Sequence, residues 1–387
     1  MDALSRRDKR TIGTELDRYG GVGPGFHSLR IALAIGVVCG HTFLVLGERP
    51  VFPKPISLLI EDLVPAFFVL SGFLVTGSAL RNTLSRFAVN RVARIAPALV
   101  IDTALAALVL GPLFTVMSLT NYFSDHEFWG YCLNIFWLMH YHLPGVFQAN
   151  PDPNAINASL WSLPYEIACY ALVTTAIALR PSRRPWVGIA LVALVVGAII
   201  FSNAAGISKE DVAGVSWQGL PLGKIFSNFA LPSHIGMYLY FLYGALIYLV
   251  RHKIIFNKKS AILCIVALLF CAYGIVPEDA ALTRTILFGP ALAYLTVWIG
   301  LTPIPKIPLY HRGDYSYGVY LYGFPLQQSL VALFPEFHNP LLFTLCSVAL
   351  ATAVAMVSWH LVENPIHGLR KGTVTPPTRR RTRRAPA

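Results

Sequence analysis

Charged residues are scarce in this chain. Asp, Glu, Lys and Arg make up 13% of its 387 residues, about half the share of a soluble globular domain. So few charges exclude a protein whose whole surface faces water. Acidic residues are the scarcer sign, with 19 Asp and Glu against 31 Lys and Arg. Cysteine is sparse as well. The six (Cys39, Cys132, Cys169, Cys264, Cys271, Cys346) are scattered, mostly in apolar runs. No pair has metal-ligand spacing, so they read as small packing residues. No internal repeat is visible, which counts against the repeat-built transporters.

Apolar residues fill the space the charges leave. They reach 55% of the chain, and the mean hydropathy is +0.57. The predicted fold class is an all-α, polytopic integral membrane protein. Ten apolar runs can be drawn, roughly Leu29–Leu46, Ile56–Leu80, Ala96–Leu119, Ser159–Leu179, Trp186–Phe201, Ile235–Val250, Ser260–Val276, Leu282–Leu301, Tyr315–Phe334 and Leu341–Val362. Several fall short of the ~20 residues of a simple span, so flanking loop residues must contribute. The shorter run Phe128–Met139 reads as re-entrant or interfacial, and Trp129 and Trp137 suit a membrane interface.

Lys and Arg orient these runs. With the N-terminus in the cytoplasm, the inside segments hold 25 of them and the outside segments five. Arg30 sits at the first boundary. That asymmetry fits the positive-inside rule and places both termini in the cytoplasm. It also accounts for the basic charge without a nucleic-acid partner. Residues 1–25 are then a cytoplasmic segment, 26–367 the membrane domain, and 368–387 a basic tail held near anionic lipid. The long polar segment before the first run marks that run as a retained helix rather than a cleaved signal.

Polar residues inside the runs carry the functional signal, because an ionisable group in a bilayer is costly. Arg30 and His41 lie eleven residues apart with almost only apolar residues between them. In a helix that is about three turns, or about 16 Å, along one face. The pair reads as a cation near the cytoplasmic surface and a titratable imidazole deep inside. The same residues also fit a boundary arginine and a packing histidine. Arg91 and Arg94 share a helix face at the cytoplasmic mouth of the third run, and two such guanidiniums can clamp one anion. Ser159, Ser162, Glu166 and Tyr170 follow a 3-4-4 spacing and form one predicted polar stripe. Glu166 then lies at a depth comparable with His41, where a carboxylate can orient an imidazole. Asp102 is expected to pair with an arginine at the mouth. Glu61 and Asp62 face the outer end of the second run. His126, His140 and His142 lie in the outer loop without a convincing third ligand, so no metal is expected.

Several segments now carry a resemblance. Leu29-Arg30 through His41, Phe67 through Leu74, Arg91-Val92-Ala93-Arg94 and Ser159 through Glu166 resemble, in order, the motifs of membrane-bound acyltransferase family 3. These are the polysaccharide O-acetyltransferase-like proteins. Tyr315–Tyr322 and Leu361–Pro365 resemble the family's last two helices, so the likeness covers about residues 26–367. One departure is His27-Ser28, where many relatives carry an acid. The chain also ends soon after the last run, so the esterase-like domain of some relatives is not expected.

The resemblance implies transfer of an acyl group, usually acetyl, from cytoplasmic acyl-CoA to a hydroxyl of a carbohydrate or glycolipid. Acetyl-CoA is then a co-substrate, with no tightly bound cofactor. The setting implied is a bacterial inner membrane, with polysaccharide-assembly proteins as candidate partners. Arg30, Arg91 and Arg94 are expected to hold CoA phosphates. His41 is expected to act as base or transient acyl carrier, with Glu166 fixing its tautomer. Ser159, Ser162 and Tyr170 are candidate acceptor or oxyanion contacts. A proton-coupled organic-anion transporter using the same cations and the same His and Glu is the alternative.

Overall fold

The computed structural model describes residues 10–153, 155–178, 197, 201, 236–274, 281–305, 307–310, 312–337, 339–366 and 368. Among these residues the regular structure is helical, and only two isolated bridges, Thr11 with Ile255 and Thr115 with Val146, interrupt it. The helices are α1 (Ile12–Arg18), α2 (Phe26–Val45), α3 (Lys54–Glu61), α4 (Leu63–Arg81), α5 (Leu84–Leu105), α6 (Gly111–Phe114), α7 (Leu119–Ser124), α8 (His126–Cys132), α9 (Leu163–Ala178), α10 (Gly236–Leu249), α11 (Lys258–Ala272), α12 (Ala281–Leu301), α13 (Ser316–Leu333) and α14 (Pro340–Ser358). Five stretches among the described residues are long and apolar enough to cross a bilayer: Phe26–Val45, Leu63–Arg81, Leu84–Phe114, Leu282–Leu301 and Pro340–Ile366. The expected run Trp186–Phe201 lies almost wholly outside the described residues, as does the basic tail.

Prolines break one expected run and free carbonyls inside two continuous helices. A proline has no N–H for the carbonyl four residues earlier. Pro65 therefore cannot bond Glu61, and the expected run Ile56–Leu80 divides there into α3 and α4. Pro290 frees the Ile286 carbonyl, which accepts from the Tyr243 hydroxyl at 3.4 Å. Pro325 frees the Leu321 carbonyl, which accepts from Asn157 Nδ2 at 2.9 Å. In each of the last two cases a side chain from another segment takes the orphaned acceptor, and at the buried Leu321 carbonyl the backbone requires one.

Small residues decide how closely the helices approach. Gly72 of α4 and Gly244 of α10 face each other's backbones. A methyl on Gly72 would overlap the Phe241 carbonyl oxygen, and one on Gly244 would overlap the Val69 carbonyl oxygen. This close backbone contact is what small residues permit between membrane helices. The main core runs through α2, α4, α5, α9, α10, α12 and α13.

A second cluster lies beyond α5, where Ala106–Leu110 forms a π turn. Tyr122, Phe128, Tyr131, Leu143, Phe147 and Ile156 pack together there. The run Phe128–Met139 contributes the end of α8 and a single 3-10 turn, Leu133–Phe136. It is too short to span. Trp129 is exposed and Trp137 half-buried.

At the N-terminus α1 is fixed by a Thr11 capping box. Its amides reach the loop between α10 and α11: Ile12 N–H donates to Ile254 at 2.9 Å and Gly13 N–H to Arg251 at 2.8 Å. Arg10 clamps the buried Glu15 through two bonds of 2.6 Å.

Candidate active site

A cavity of about 200 Å³ lies among α2, α4, α5, α9 and α13. Arg30, Arg91 and Arg94 all line it, so the structure brings together the three arginines singled out in the sequence. Phe67, Phe68, Leu70 and Leu74 of α4 supply an apolar wall. Ser162, Glu166, Tyr170, Ser316, Tyr317 and Tyr320 supply a hydroxyl-rich one.

The arginines are not equivalent. Asp314, in the loop just before α13, accepts a hydrogen bond from Arg94 Nη1 at 2.9 Å and forms an ion pair with Arg30 Nη2 at 3.1 Å. Both contacts fall on Oδ2, while Oδ1 accepts from the Ser316 hydroxyl at 2.6 Å. Burial alone would raise the Asp314 carboxyl, but the Arg94 and Arg30 guanidiniums hold it well below the usual carboxylate range. Arg91 has no ion pair among the described residues. Its guanidinium lies 5.7 Å from the ring centres of Phe87 and Tyr170. Asp314 escaped the sequence reading because it stands one residue before the run starting at Tyr315. The available signal was a lone acid in a short loop whose other charged residues, Lys306 and Arg312, are basic.

The polar stripe of α9 forms only in part. Ser162, Glu166 and Tyr170 line the cavity, but Ser159 does not. Ala158–Ser162 is a 3-10 turn rather than α-helix. Its greater rise sets Ser159 about 6 Å beyond Ser162. There the Ser159 hydroxyl is buried with no hydrogen-bond partner. The Ser162 and Tyr320 hydroxyls bond each other at 2.7 Å.

Glu166 does not meet His41. Its carboxylate accepts from the Tyr170 hydroxyl one turn on, and it shares the cavity with the arginines. The expected orientation of the imidazole by Glu166 is therefore corrected. Equal depth did not mean contact, because α9 turns Glu166 toward α4 and α5. The His41 ring instead packs edge-on against Phe324 at 5.1 Å. Its Nδ1 is buried without a hydrogen-bond partner. Phe324 lies one turn of α13 past Tyr320, about 6 Å of rise. His41 thus stands about one turn beyond the hydroxyl-lined end of the cavity.

One other acid departs from expectation. Asp102 pairs with no arginine. It is fully buried, and both its oxygens accept from Asn157 Nδ2, at 2.9 and 3.1 Å. Pro325 explains the geometry, since the same amide bridges Asp102 and the freed Leu321 carbonyl. Glu61 accepts from Arg284 Nη1 at 2.6 Å and is already partnered. Among the described residues no group of three His, Cys, Asp or Glu side chains is placed to hold a metal.

The residues therefore define a helical membrane protein with an arginine-lined cavity and, on the neighbouring stretch of α2, a half-buried histidine. The chain belongs to acyltransferase family 3: residues 24–360 match its acyltransferase domain. It is therefore an acyltransferase. It is 26% identical over 363 residues to the O-acetyl transferase of Shigella phage Sf6, covering 87% of this chain and 94% of that protein. It is 27% identical over 385 residues to nodulation protein 10 of Rhizobium leguminosarum bv. viciae, covering 94% and 98%. No solved structure matches the chain.

Proposed function

We propose that this protein moves an acyl group, acetyl by preference, from acyl-CoA to a hydroxyl of a carbohydrate or glycolipid. The observation that carries the reading is one cavity that gathers Arg30, Arg91 and Arg94 and is lined by Tyr320, one α13 turn from the Phe324 ring on which His41 packs. The choice of acetyl follows the O-acetyl transferase relative. Acyl-CoA is a polyanion with a long, thin arm, and the site has cations at one end and an imidazole about 16 Å along α2 from Arg30. The wider setting is a ten-span protein of a bacterial inner membrane. Its termini and arginine mouth face the cytoplasm, and it works with polysaccharide-assembly proteins.

In this reading His41 accepts the proton of the acceptor hydroxyl as that oxygen attacks the thioester carbon. The C–O bond forms and the C–S bond breaks. The proton on the imidazolium passes to the departing CoA sulfur. In the two-step form His41 itself first takes the acyl group and then yields it to the acceptor. The Ser162 and Tyr320 hydroxyls stand between the arginines and His41, where a donor can reach the carbonyl oxygen.

The test is release of free CoA from acetyl-CoA by the full chain in lipid nanodiscs, with and without a mixed glycan acceptor. Wild type should turn over and His41→Ala should lose at least about 10²-fold, the usual scale for a general base. His41→Ala should still bind CoA. A labelled acetyl group trapped on His41 without acceptor selects the two-step form. A His41→Ala protein as active as wild type removes His41 from the chemistry. Transport of an organic anion with no acyl-CoA consumed would favour the transporter.

A further inference from the structure

We propose that Asp314, outside the cavity lining, holds the lining residues Arg30 and Arg94 when no donor is bound, and that the donor binds by drawing both arginines off it. The inference rests on the acyl-CoA reading above. It assigns Asp314 a role in setting donor affinity, which neither the motif arginines nor the histidine has.

Asp314 acts through side chains that line the cavity rather than lining it itself. One oxygen, Oδ2, receives both guanidiniums, at 2.9 and 3.1 Å. The other is tied at 2.6 Å to Ser316, which itself lines the cavity. A phosphate oxygen accepts from arginine with the same geometry as a carboxylate oxygen, so the two compete for the same donors. Arg91, with no acid of its own among the described residues, remains to receive an incoming anion first. Two further donors, Nε of Arg30 and Nε of Arg91, are buried without partners. An arginine has five N–H groups, so the cluster has more donors than Asp314 can satisfy.

Position makes an exchange feasible. Asp314 sits in the loop between α12 and α13 rather than within either helix. Its carboxylate can turn away by side-chain and loop rotation, with both helices left in place. Formal charge sets the consequence. Three arginines face Asp314 and Glu166, a balance of one positive charge. When the Asp314 contact is released, the site presents stronger positive charge to the donor. The resident carboxylate therefore weakens apparent donor affinity and eases release of spent CoA.

A purely structural clamp and an exchanging carboxylate predict opposite signs. The probe is free CoA titrated by calorimetry into the full chain in nanodiscs. Asp314→Asn keeps the shape and removes the charge. It should bind CoA about ten-fold more tightly, the scale expected when a competing occupant is removed. Ser316→Ala loosens the carboxylate without touching an arginine and should tighten binding in the same direction by less. Arg91→Gln should weaken binding. Unchanged or weaker CoA binding by a folded Asp314→Asn protein overturns the exchange and makes Asp314 a clamp. If that variant does not fold, Ser316→Ala decides: tightening supports the exchange, and no change or weakening overturns it. Failure of the donor reading is separate, since wild type would then show no CoA binding and both proposals would fall.

Discussion

Replacing Gly72 with alanine should loosen the whole wall of the cavity. The added methyl overlaps the Phe241 carbonyl oxygen and comes within 2.8 Å of its carbon and 3.1 Å of the Ala245 nitrogen. Carbon atoms rest at about 3.5–4.0 Å, so α4 and α10 must part by about 1 Å. The obstacle is backbone, which cannot rotate away as a side chain can. The cost belongs at the upper end of the ~1–3 kcal/mol of overpacked cores. At ~2.1 cal/mol/K of unfolding entropy per residue, a chain of this length shifts by little more than ~1 °C per kcal/mol, so melting should fall by roughly 3–4 °C.

The same shift displaces Phe67, Ser71 and Leu74, which line the cavity, and a 1 Å misplacement can cost about 10²-fold in rate. Thermal melting by size-exclusion fluorescence in detergent reads the first effect, and CoA release reads the second. Gly40→Ala is the control. Its methyl meets only the Ile60 Cγ2 at 3.2 Å, the end of a side chain that can yield. Gly244→Ala should resemble Gly72→Ala, and the double variant should cost less than the sum, because one separation accommodates both methyls. A Gly72→Ala protein with wild-type melting would refute the close α4–α10 contact, and strict additivity would refute its being one contact.

Two further outcomes follow from buried polar groups. Asn157→Leu strips Asp102 and the Leu321 carbonyl of their shared donor. It should destabilise by the upper end of the ~1–3 kcal/mol typical of an orphaned buried group. Adding Asp102→Leu should restore part of the loss in the same melting assay. Glu15 is held below the ordinary carboxylate range, chiefly by its Arg10 hydrogen bonds, with burial opposing. A depressed folded value means the stabilisation is complete above about pH 4.3 and drains away as pH falls through that lower value. Proteolysis of the N-terminal segment should therefore accelerate in acid. Glu15→Gln should be cleaved readily at neutral pH too, with the acid dependence flattened.

The parts of the site legible in the sequence are those that need only one helix to read. Arg91 and Arg94 share a face at a spacing of three whatever packs beside them, and Arg30 starts an apolar run. Their convergence followed from charge and depth. Glu166 required a second coordinate. Its distance along α9 was readable, but the rotation that turns it to Tyr170 and the arginines, away from His41, depends on how α9 seats against α4 and α13. Asp314 was missed for the opposite reason. It lies outside any run, and a loop residue's reach depends on where the loop folds back.

Asp102 shows why such coordinates resist reading even when every ingredient is visible. Pro325 announces that the Leu321 carbonyl will lose its helical partner, and a buried Asp announces that it will need a donor. Nothing local says that one amide, 55 residues from Asp102 and 164 from Leu321, answers both. Asn157 can do so because Ala158–Ser162 winds as a 3-10 turn rather than extending α9. The same turn carries Ser159 beyond the cavity. The departure from the expected polar stripe and the satisfaction of the buried acid are therefore one structural event. Asn157→Leu should disturb both, moving Ser162 against Tyr320 at the end of the cavity nearest His41.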